Sequence, residues 1–158
     1  MRLLIFGQLG KVATELARRI PNGISATFLG RAEADLSNPA ACAAAIAAHP
    51  ADAVINAAAW TAVDKAESEE PAATVVNGEA PAAMARDCAL NRTPFLYSST
   101  DYVFDGRGTT AFSIDHATAP QNAHGRSKLR SEIGVRDSGA PHLILRTSWV
   151  TQRMARIL

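Results

Sequence analysis

The chain has 158 residues, of which 47% are hydrophobic and 20% are charged, and this supports one ordinary hydrophobic core in a single domain. Lys and Arg together number 16 against 15 for Asp and Glu, giving a net charge of +1, which predicts no general attraction to nucleic acid or to an anionic membrane. Any binding site must therefore be sought in local motifs.

The N-terminal stretch MRLLIFGQLGK has one Arg and then only four apolar residues before Gly7. That run is too short for a signal peptide or a membrane span, so we expect a cytosolic chain. Cys42 and Cys88 lie in Ala-rich stretches without a nearby second thiol or a His at zinc-site spacing. We expect both to be small buried hydrophobic side chains, and we assign no metal.

Short apolar runs alternate with longer amphipathic segments, which is typical of an α/β chain that builds a parallel sheet from βαβ units. Asn38 and Pro39 give a helix start signal, because Asn can cap and Pro fits the first helical position. Strands are predicted at residues 3–6, 26–29, 53–55, 95–98 and 143–145. Helices are predicted at residues 11–20, 39–49, 71–90 and 123–137.

The first predicted strand runs into GQLGKVA, with Gly7, Gly10 and Ala13 at the spacing of a dinucleotide-binding turn. Gly7 would permit a tight turn, Gly10 would let the backbone approach a pyrophosphate, and the start of the helix at Lys11 and Val12 would supply oriented N–H groups. A two-glycine match is also compatible with an ordinary turn between a strand and a helix.

The second strand ends in LGRAEADLSN, with Gly30 and Arg31 where NAD-selective folds often have an acidic residue for the ribose 2′-hydroxyl. Arg31 could instead meet a 2′-phosphate, which favours NADP, or it is a solvated surface charge. After the third strand come Ala57, Ala58 and Ala59, which would keep the sheet edge shallow. The charge run at residues 64–70 predicts a solvated first helical turn.

The fourth strand delivers hydroxyl groups at Ser98, Ser99 and Thr100 to the same sheet edge. One of them could bind a substrate oxygen, or the cluster caps the backbone. Residues 101–121 then have the composition of a loop over about twenty residues, and a loop of this length in a compact domain is usually functional.

Six stretches carry a resemblance to a known family: LLIFGQLGKVATEL, DLSNPAA, DAVINAAAWTAVDKAESE, YSSTDYVFDG, TAPQNAHGRSKLRSE and LILRTSWV. Through them the chain resembles the extended short-chain dehydrogenases/reductases and, within these, the dTDP-4-dehydrorhamnose reductase family. The resemblance implies an α/β Rossmann-type doubly wound parallel sheet of about five strands with helices on both faces. It covers residues 1–150, which we take as an NAD(P)-binding domain, with a divergent short tail at residues 151–158.

The activity implied by the resemblance is reduction of the 4-keto group of a dTDP-sugar by NADPH or NADH, with no nucleic acid or membrane partner. Thr100 matches the family's catalytic Thr and Lys128 its catalytic Lys, while His124 stands where the catalytic Tyr belongs. Substrate contacts are implied for Thr100, Tyr102 and Trp149. Cofactor contacts are implied for Gly7, Gly10, Lys11, Val12, Arg31, Asp35, Leu36, Ala57, Ala58, Ala59 and Lys128.

His124 decides what can be expected of catalysis. Residues four apart on a helix share a face, so His124 and Lys128 would meet the cofactor and the substrate together. Imidazole can act as a general acid, but its ring is shorter than a phenol and the nearby ammonium disfavours the imidazolium form. The alternative is a His that faces solvent or packs without a catalytic task.

Two further departures from the family are expected to matter. The tail TQRMARIL does not resemble the family's continuation, which implies that the C-terminal substrate portion is missing through truncation or a frameshift. The strand at residues 143–145 would then be an uncovered sheet edge that invites self-association. Trp60 replaces the family's usual His and would either obstruct the cofactor crevice or pack.

Overall fold

The computed structural model describes residues 1–148 and Val150, and it contains one five-stranded sheet. The strand order is β2-β1-β3-β4-β5, and every neighbouring pair is parallel. The predicted strands and the Rossmann-type fold class are confirmed. The strands are β1 (Arg2–Phe6), β2 (Ser25–Leu29), β3 (Ala53–Asn56), β4 (Phe95–Thr100) and β5 (His142–Thr147).

Six α-helices occur in the described part of the chain. The side chain of Asn38 accepts the amide of Ala41 at 3.1 Å, so the predicted start signal of α2 is correct. The helices are α1 (Lys11–Arg19), α2 (Pro39–Ala48), α3 (Val63–Ser68), α4 (Glu70–Thr74), α5 (Ala80–Leu90) and α6 (Ala123–Asp137).

The helices divide between the two faces of the sheet. Helix α5 packs between α2 and α6, over a core that includes Leu4, Phe6, Val54 and Tyr97. The connection from β1 to β2 runs along the sheet in the opposite direction to the later connections. Right-handed crossovers therefore place α1 on the other face.

The predicted single helix at residues 71–90 is wrong in its interior, because a π-helical turn (Val75–Glu79) separates α4 from α5. Pro81 has no N–H to donate to the carbonyl of Asn77, four residues earlier. The hydroxyl of Tyr97 in β4 donates to that carbonyl instead, at 3.1 Å. The amide of Ala80 then bonds to Val75, five residues back, which is the π spacing.

The charge run at residues 64–70 forms α3 and the start of α4, and most of it is exposed as predicted. The carboxylates of Glu67 and Glu70 have partners on α6. Glu67 accepts the backbone amide of Ala123 at 2.6 Å, at the start of α6. Glu70 accepts both Nε and Nη2 of Arg126, at 2.7 and 2.8 Å. These contacts fasten α6 over the crossover from β3 to β4.

Several other expectations can be compared with the described residues. Cys42 and Cys88 are free and buried, as predicted. β5 is an edge strand of the described sheet, and Leu143 and Leu145 are each 49% exposed; self-association through this edge stays a prediction. No helix within the described ranges combines the length and hydropathy that crossing a bilayer requires. Trp149 and the tail at residues 151–158 lie outside the described residues.

Candidate functional site

A large cleft opens at the carboxyl ends of the strands. β1 and β3 are neighbours, and the chain leaves them toward opposite edges of the sheet, which creates the switch point where α/β folds bind ligands. The cleft has a volume of about 1150 Å³. Its lining includes every predicted site residue in the described part of the chain: Gly7, Gly10, Lys11, Val12, Arg31, Asp35, Leu36, Ala57, Ala58, Ala59, Thr100, Tyr102, His124 and Lys128.

The turn after β1 has a backbone that only glycine adopts without strain. Gly7 has a φ of +102°, and a Cβ built on it would lie 2.9 Å from the amide nitrogen of Ala58. Gly10 precedes α1 and provides no side-chain cap. The first-turn amides of α1 therefore have no side-chain acceptor at the cleft, a feature that suits an anion.

The edge after β3 is narrow because its side chains are small. Ala57 donates its amide to Phe6 at 3.0 Å, and Asn56 accepts the amide of Ala58 at 3.0 Å. These bonds hold the alanine segment beside Gly7, so backbone atoms form this wall of the cleft.

Arg31 and Asp35 form the rim beyond β2. Their side chains meet at 2.9 Å, and that of Arg31 is 83% exposed. The backbone amide of Ser37 and then the Arg31 guanidinium hold the pKa of Asp35 below its usual value. Arg31 is thus both an exposed surface charge and part of the cleft lining, and its contact with a 2′-phosphate stays a prediction.

The hydroxyl groups at the end of β4 have different partners. Thr100 Oγ1 accepts the amide of Tyr102 and donates to Asp101 Oδ1, both at 3.2 Å. Ser99 Oγ donates to Glu132 at 2.6 Å. The backbone-capping alternative therefore describes Thr100, which also lines the cleft, while Ser99 belongs to a buried ionic cluster.

Lys128 is a buried amine at the floor of the cleft, with 4% of its surface exposed. Its Nζ donates to the carbonyl of Ser98 at 2.6 Å and lies 4.4 Å from the centre of the Tyr97 ring. Burial lowers the pKa of Lys128 to about 7, against the opposing effect of the Glu132 charge. Lys128 can therefore exchange its proton near neutral pH.

His124 is 7% exposed and lines the cleft, so it does not face solvent. Its ring stands edge-on to Tyr102, with centroids 6.0 Å apart, and its buried Nδ1 has no partner among the described residues. Burial and then the charge of Lys128 lower the pKa of His124. They outweigh a hydrogen bond with the Trp60 backbone and the charge of Asp101, both of which would raise it. The neutral imidazole is therefore favoured, which makes His124 a poor proton donor at neutral pH.

Trp60 packs beside the cleft, against Ala66, Ala73 and Ala123, as the packing alternative predicted. Its indole N–H donates to Ala62 at 3.1 Å. The side chain of Asn77 accepts the amide of Trp60 at 2.8 Å and donates to its carbonyl at 3.1 Å. The indole is a partly buried wall of the cleft.

Sequence analysis missed two buried polar residues that shape this site. Asn77 also donates to Ser127 Oγ at 3.1 Å, so it connects the π-helical turn, Trp60 and α6. Glu132 is fully buried on α6. The signal for Glu132 was its place four residues after Lys128 and eight after His124, which puts all three on one helix face. No comparable signal identified Asn77.

Among the described residues, no group of three or more His, Cys, Asp or Glu side chains is arranged to hold a metal ion. The cleft is lined by Arg31 and Asp35 after β2, by the glycine turn after β1, and by Thr100, His124 and Lys128 at β4 and α6. This arrangement suits an extended ligand with an anionic middle.

Comparison with known proteins gives one consistent family. The chain is 43% identical over 150 residues to a dTDP-4-dehydrorhamnose reductase of Burkholderia thailandensis, covering 95% of this chain and 50% of that protein. It is 41% identical to a probable dTDP-4,6-dihydroxy-2-methyloxan-3-one 4-ketoreductase of Streptomyces antibioticus, covering 99% of this chain and 54% of that protein. The chain thus spans about half the length of these relatives.

A solved structure agrees with the sequence relatives. The dTDP-4-dehydrorhamnose reductase of Bacillus anthracis in complex with NADP superposes with a TM-score of 0.92 at 28% identity, covering 98% of this chain and 56% of that one. The fold, the cleft and the relatives lead to a single assignment. The chain belongs to the RmlD substrate binding domain family, whose sequence profile matches residues 1–156.

Proposed function

We propose that this chain is the cofactor-binding part of a dTDP-4-dehydrorhamnose reductase-like oxidoreductase. The reaction would be NADPH-dependent reduction of the 4-keto group of dTDP-4-dehydro-L-rhamnose to give dTDP-L-rhamnose. The observation that carries the proposal is the cleft at the β1–β3 switch point, which gathers the glycine turn, Thr100 and Lys128. The names of its relatives and the NADP complex of the Bacillus anthracis protein support it.

The cleft residues fit a dinucleotide. Gly7 leaves free the space that a Cβ would fill beside Ala57 and Ala58, and the uncapped start of α1 offers amides to a pyrophosphate. Lys11 and Val12 would contribute these amides, Arg31 would meet a ribose 2′-phosphate, and Asp35 and Leu36 would flank the adenosine end. NADPH is thus the proposed cofactor, and NADH is the alternative.

At the other end of the cleft, the residues would organise the substrate carbonyl. Bound NADPH supplies the hydride that reduces this carbonyl. Nζ of Lys128 donates one hydrogen bond to the carbonyl of Ser98. When the amine is protonated, two further N–H groups remain for the nicotinamide ribose. Thr100 would orient the keto oxygen. Its hydroxyl can turn from Asp101 toward that oxygen, because the contact with Asp101 is long, at 3.2 Å. Tyr102 and Trp149 would contact the sugar nucleotide.

Proton delivery is the weak point of this site. His124 occupies the donor position, with a pKa lowered by burial and by Lys128. This favours a second candidate function, a dinucleotide-binding fragment with impaired turnover. In the reductase, His124 or a water molecule beside it would protonate the oxygen. The cytosolic location and the dTDP-sugar partner stay predictions.

Titration of the purified chain with NADPH, followed by cofactor fluorescence, tests the proposed function. We expect saturable binding, and we expect Gly7→Ala to weaken it about tenfold or more, because a Cβ at this position would lie 2.9 Å from the amide nitrogen of Ala58 and would displace the backbone that forms the cleft. The matched control is Gly23→Ala, since Gly23 has a φ of +86° but nothing lies within 4 Å of the position that its Cβ would take. Absence of NADPH binding by the natural chain would refute the proposal.

Arg31→Ala should reduce the preference for NADPH over NADH. Loss of a guanidinium contact to an exposed 2′-phosphate costs about tenfold in affinity, whereas NADH has no such phosphate. The measurement is the ratio of the two dissociation constants. Arg18→Ala serves as control, because Arg18 is also exposed and pairs with an acidic residue on its own helix. Equal losses for the two cofactors would contradict the assignment of Arg31.

A further inference from the structure

Glu132 is a fully buried carboxylate on α6, behind the residues that line the cleft. It follows Lys128 by one helical turn and His124 by two, so it lies on the same face of α6. A buried charge is costly unless hydrogen bonds and opposite charges compensate it. The identity of its partners therefore indicates what the charge holds together.

Those partners come from three elements. Ser99 of β4 donates to Glu132 Oε1 at 2.6 Å, and Arg146 of β5 donates its Nε and Nη2 to the two carboxylate oxygens at 2.9 and 2.7 Å. Arg136, on the next turn of α6, adds a contact at 2.9 Å. Burial alone would raise the pKa of Glu132, but the bonds from Arg146 and Ser99 and the charges of both arginines hold it below its usual value.

The same cluster reaches the loop that follows β4. The guanidinium of Arg146 lies 4.9 Å from the centre of the Phe104 ring, and its Nη1 donates to the carbonyl of Ile114 at 3.1 Å. Arg146 and Ser99 are register partners in the sheet. One carboxylate thus joins α6, β4, β5 and the loop around Phe104.

We propose that Glu132 is a positioning residue that sets the distance between Lys128 on α6 and Thr100 at the end of β4. Ser99 immediately precedes Thr100, so its bond to Glu132 fixes the strand end against the helix that carries Lys128 and His124. The inference rests on the proposed function, because it concerns the nicotinamide end of the cleft. Glu132 has no role at the adenosine end, which β1 and β2 build.

A residue that acts only at the nicotinamide end should affect a ligand that contains the nicotinamide and not one that lacks it. A residue with a general structural role should affect both ligands. Glu132→Gln keeps the size of the side chain but removes its charge and one acceptor. The probes are NADPH and 2′-phospho-ADP-ribose, which lacks the nicotinamide, and both are titrated by calorimetry. We expect NADPH binding to weaken about tenfold to a hundredfold, since the loss of a charged hydrogen bond from Lys128 to the nicotinamide ribose has an effect of this size, while 2′-phospho-ADP-ribose binding is unchanged.

Arg136→Gln is the matched control, because it removes only the exposed arm of the cluster, where the Arg136 side chain is 46% exposed; it should change neither affinity. Equal weakening of both ligands by Glu132→Gln, or no weakening, would overturn the inference. Should Glu132→Gln fail to fold, Ser99→Ala gives the same contrast. A natural chain that binds 2′-phospho-ADP-ribose but not NADPH also overturns it, whereas one that binds neither refutes the proposed function.

Discussion

His124→Tyr is expected to raise the rate of keto-sugar reduction by about 10²- to 10⁴-fold, the usual contribution of a positioned general acid. Burial and the charge of Lys128 favour the neutral imidazole, so His124 does not readily donate a proton. A phenol at the same position reaches farther from the backbone, and a nearby ammonium lowers its pKa. The rate is measured as loss of NADPH absorbance with dTDP-4-dehydro-L-rhamnose as substrate.

His124→Phe is the matched control, since it supplies a ring of similar size without an acid and should give no increase. NADPH affinity should remain the same in both variants, which separates proton delivery from binding. Turnover by the natural chain at the rate of the Tyr variant would contradict the prediction. Binding without turnover in every variant would favour the dinucleotide-binding fragment.

The fold was accessible from sequence because buried parallel strands are nearly continuous apolar runs. The four residues after Arg2 and the run that starts at Phe95 are such segments, and both form strands. The interior of the predicted helix at residues 71–90 was not accessible in this way. A carbonyl of its π-helical turn accepts a hydrogen bond from the hydroxyl of Tyr97, twenty residues away in another element.

The cleft was accessible for a related reason. Carboxyl ends of parallel strands share one edge of the sheet, so the sequence alone was enough to place Gly7, Ala57 and Thr100 together. The environment of the reactive groups was not accessible in the same way. His124 and Lys128 are polar residues in a helix of mixed composition, and only packing against β4 shows that both are buried.

Glu132 illustrates the same limit more strongly. In the sequence it is one charged residue among several between His124 and Asp137, and its spacing from Lys128 places it on the same helix face without showing that it is buried. Its partner Arg146 lies on a different element. Burial and pairing are properties of tertiary structure, so a residue that acts through such a pair is found only after the elements are assembled.

Lys128→Met is expected to stabilise the ligand-free chain at pH 6 by on the order of 1–2 kcal/mol while it abolishes tight NADPH binding. The ammonium of Lys128 is buried, and burial opposes its charged form. The Met side chain has similar length and no charge, so it avoids this cost. The loss of binding follows because Met cannot donate to the nicotinamide ribose.

The effect on stability should depend on pH in a defined direction. The pKa of Lys128 falls from 10.5 to about 7 in the folded chain, so between these values the unfolded chain holds one more proton. The free energy of unfolding of the natural chain therefore rises with pH across that window. The advantage of Lys128→Met is fully present below pH 7 and shrinks as pH rises toward 10.5.

Urea unfolding of both chains at several pH values measures this difference, and titrations shared by the two chains cancel. Lys65→Met is the control for the loss of an ammonium, because the Lys65 side chain is 59% exposed. A Lys128→Met chain that is less stable than the natural chain at pH 6 would mean that the bond to Ser98 and the contact with Tyr97 outweigh the cost of burying the ammonium.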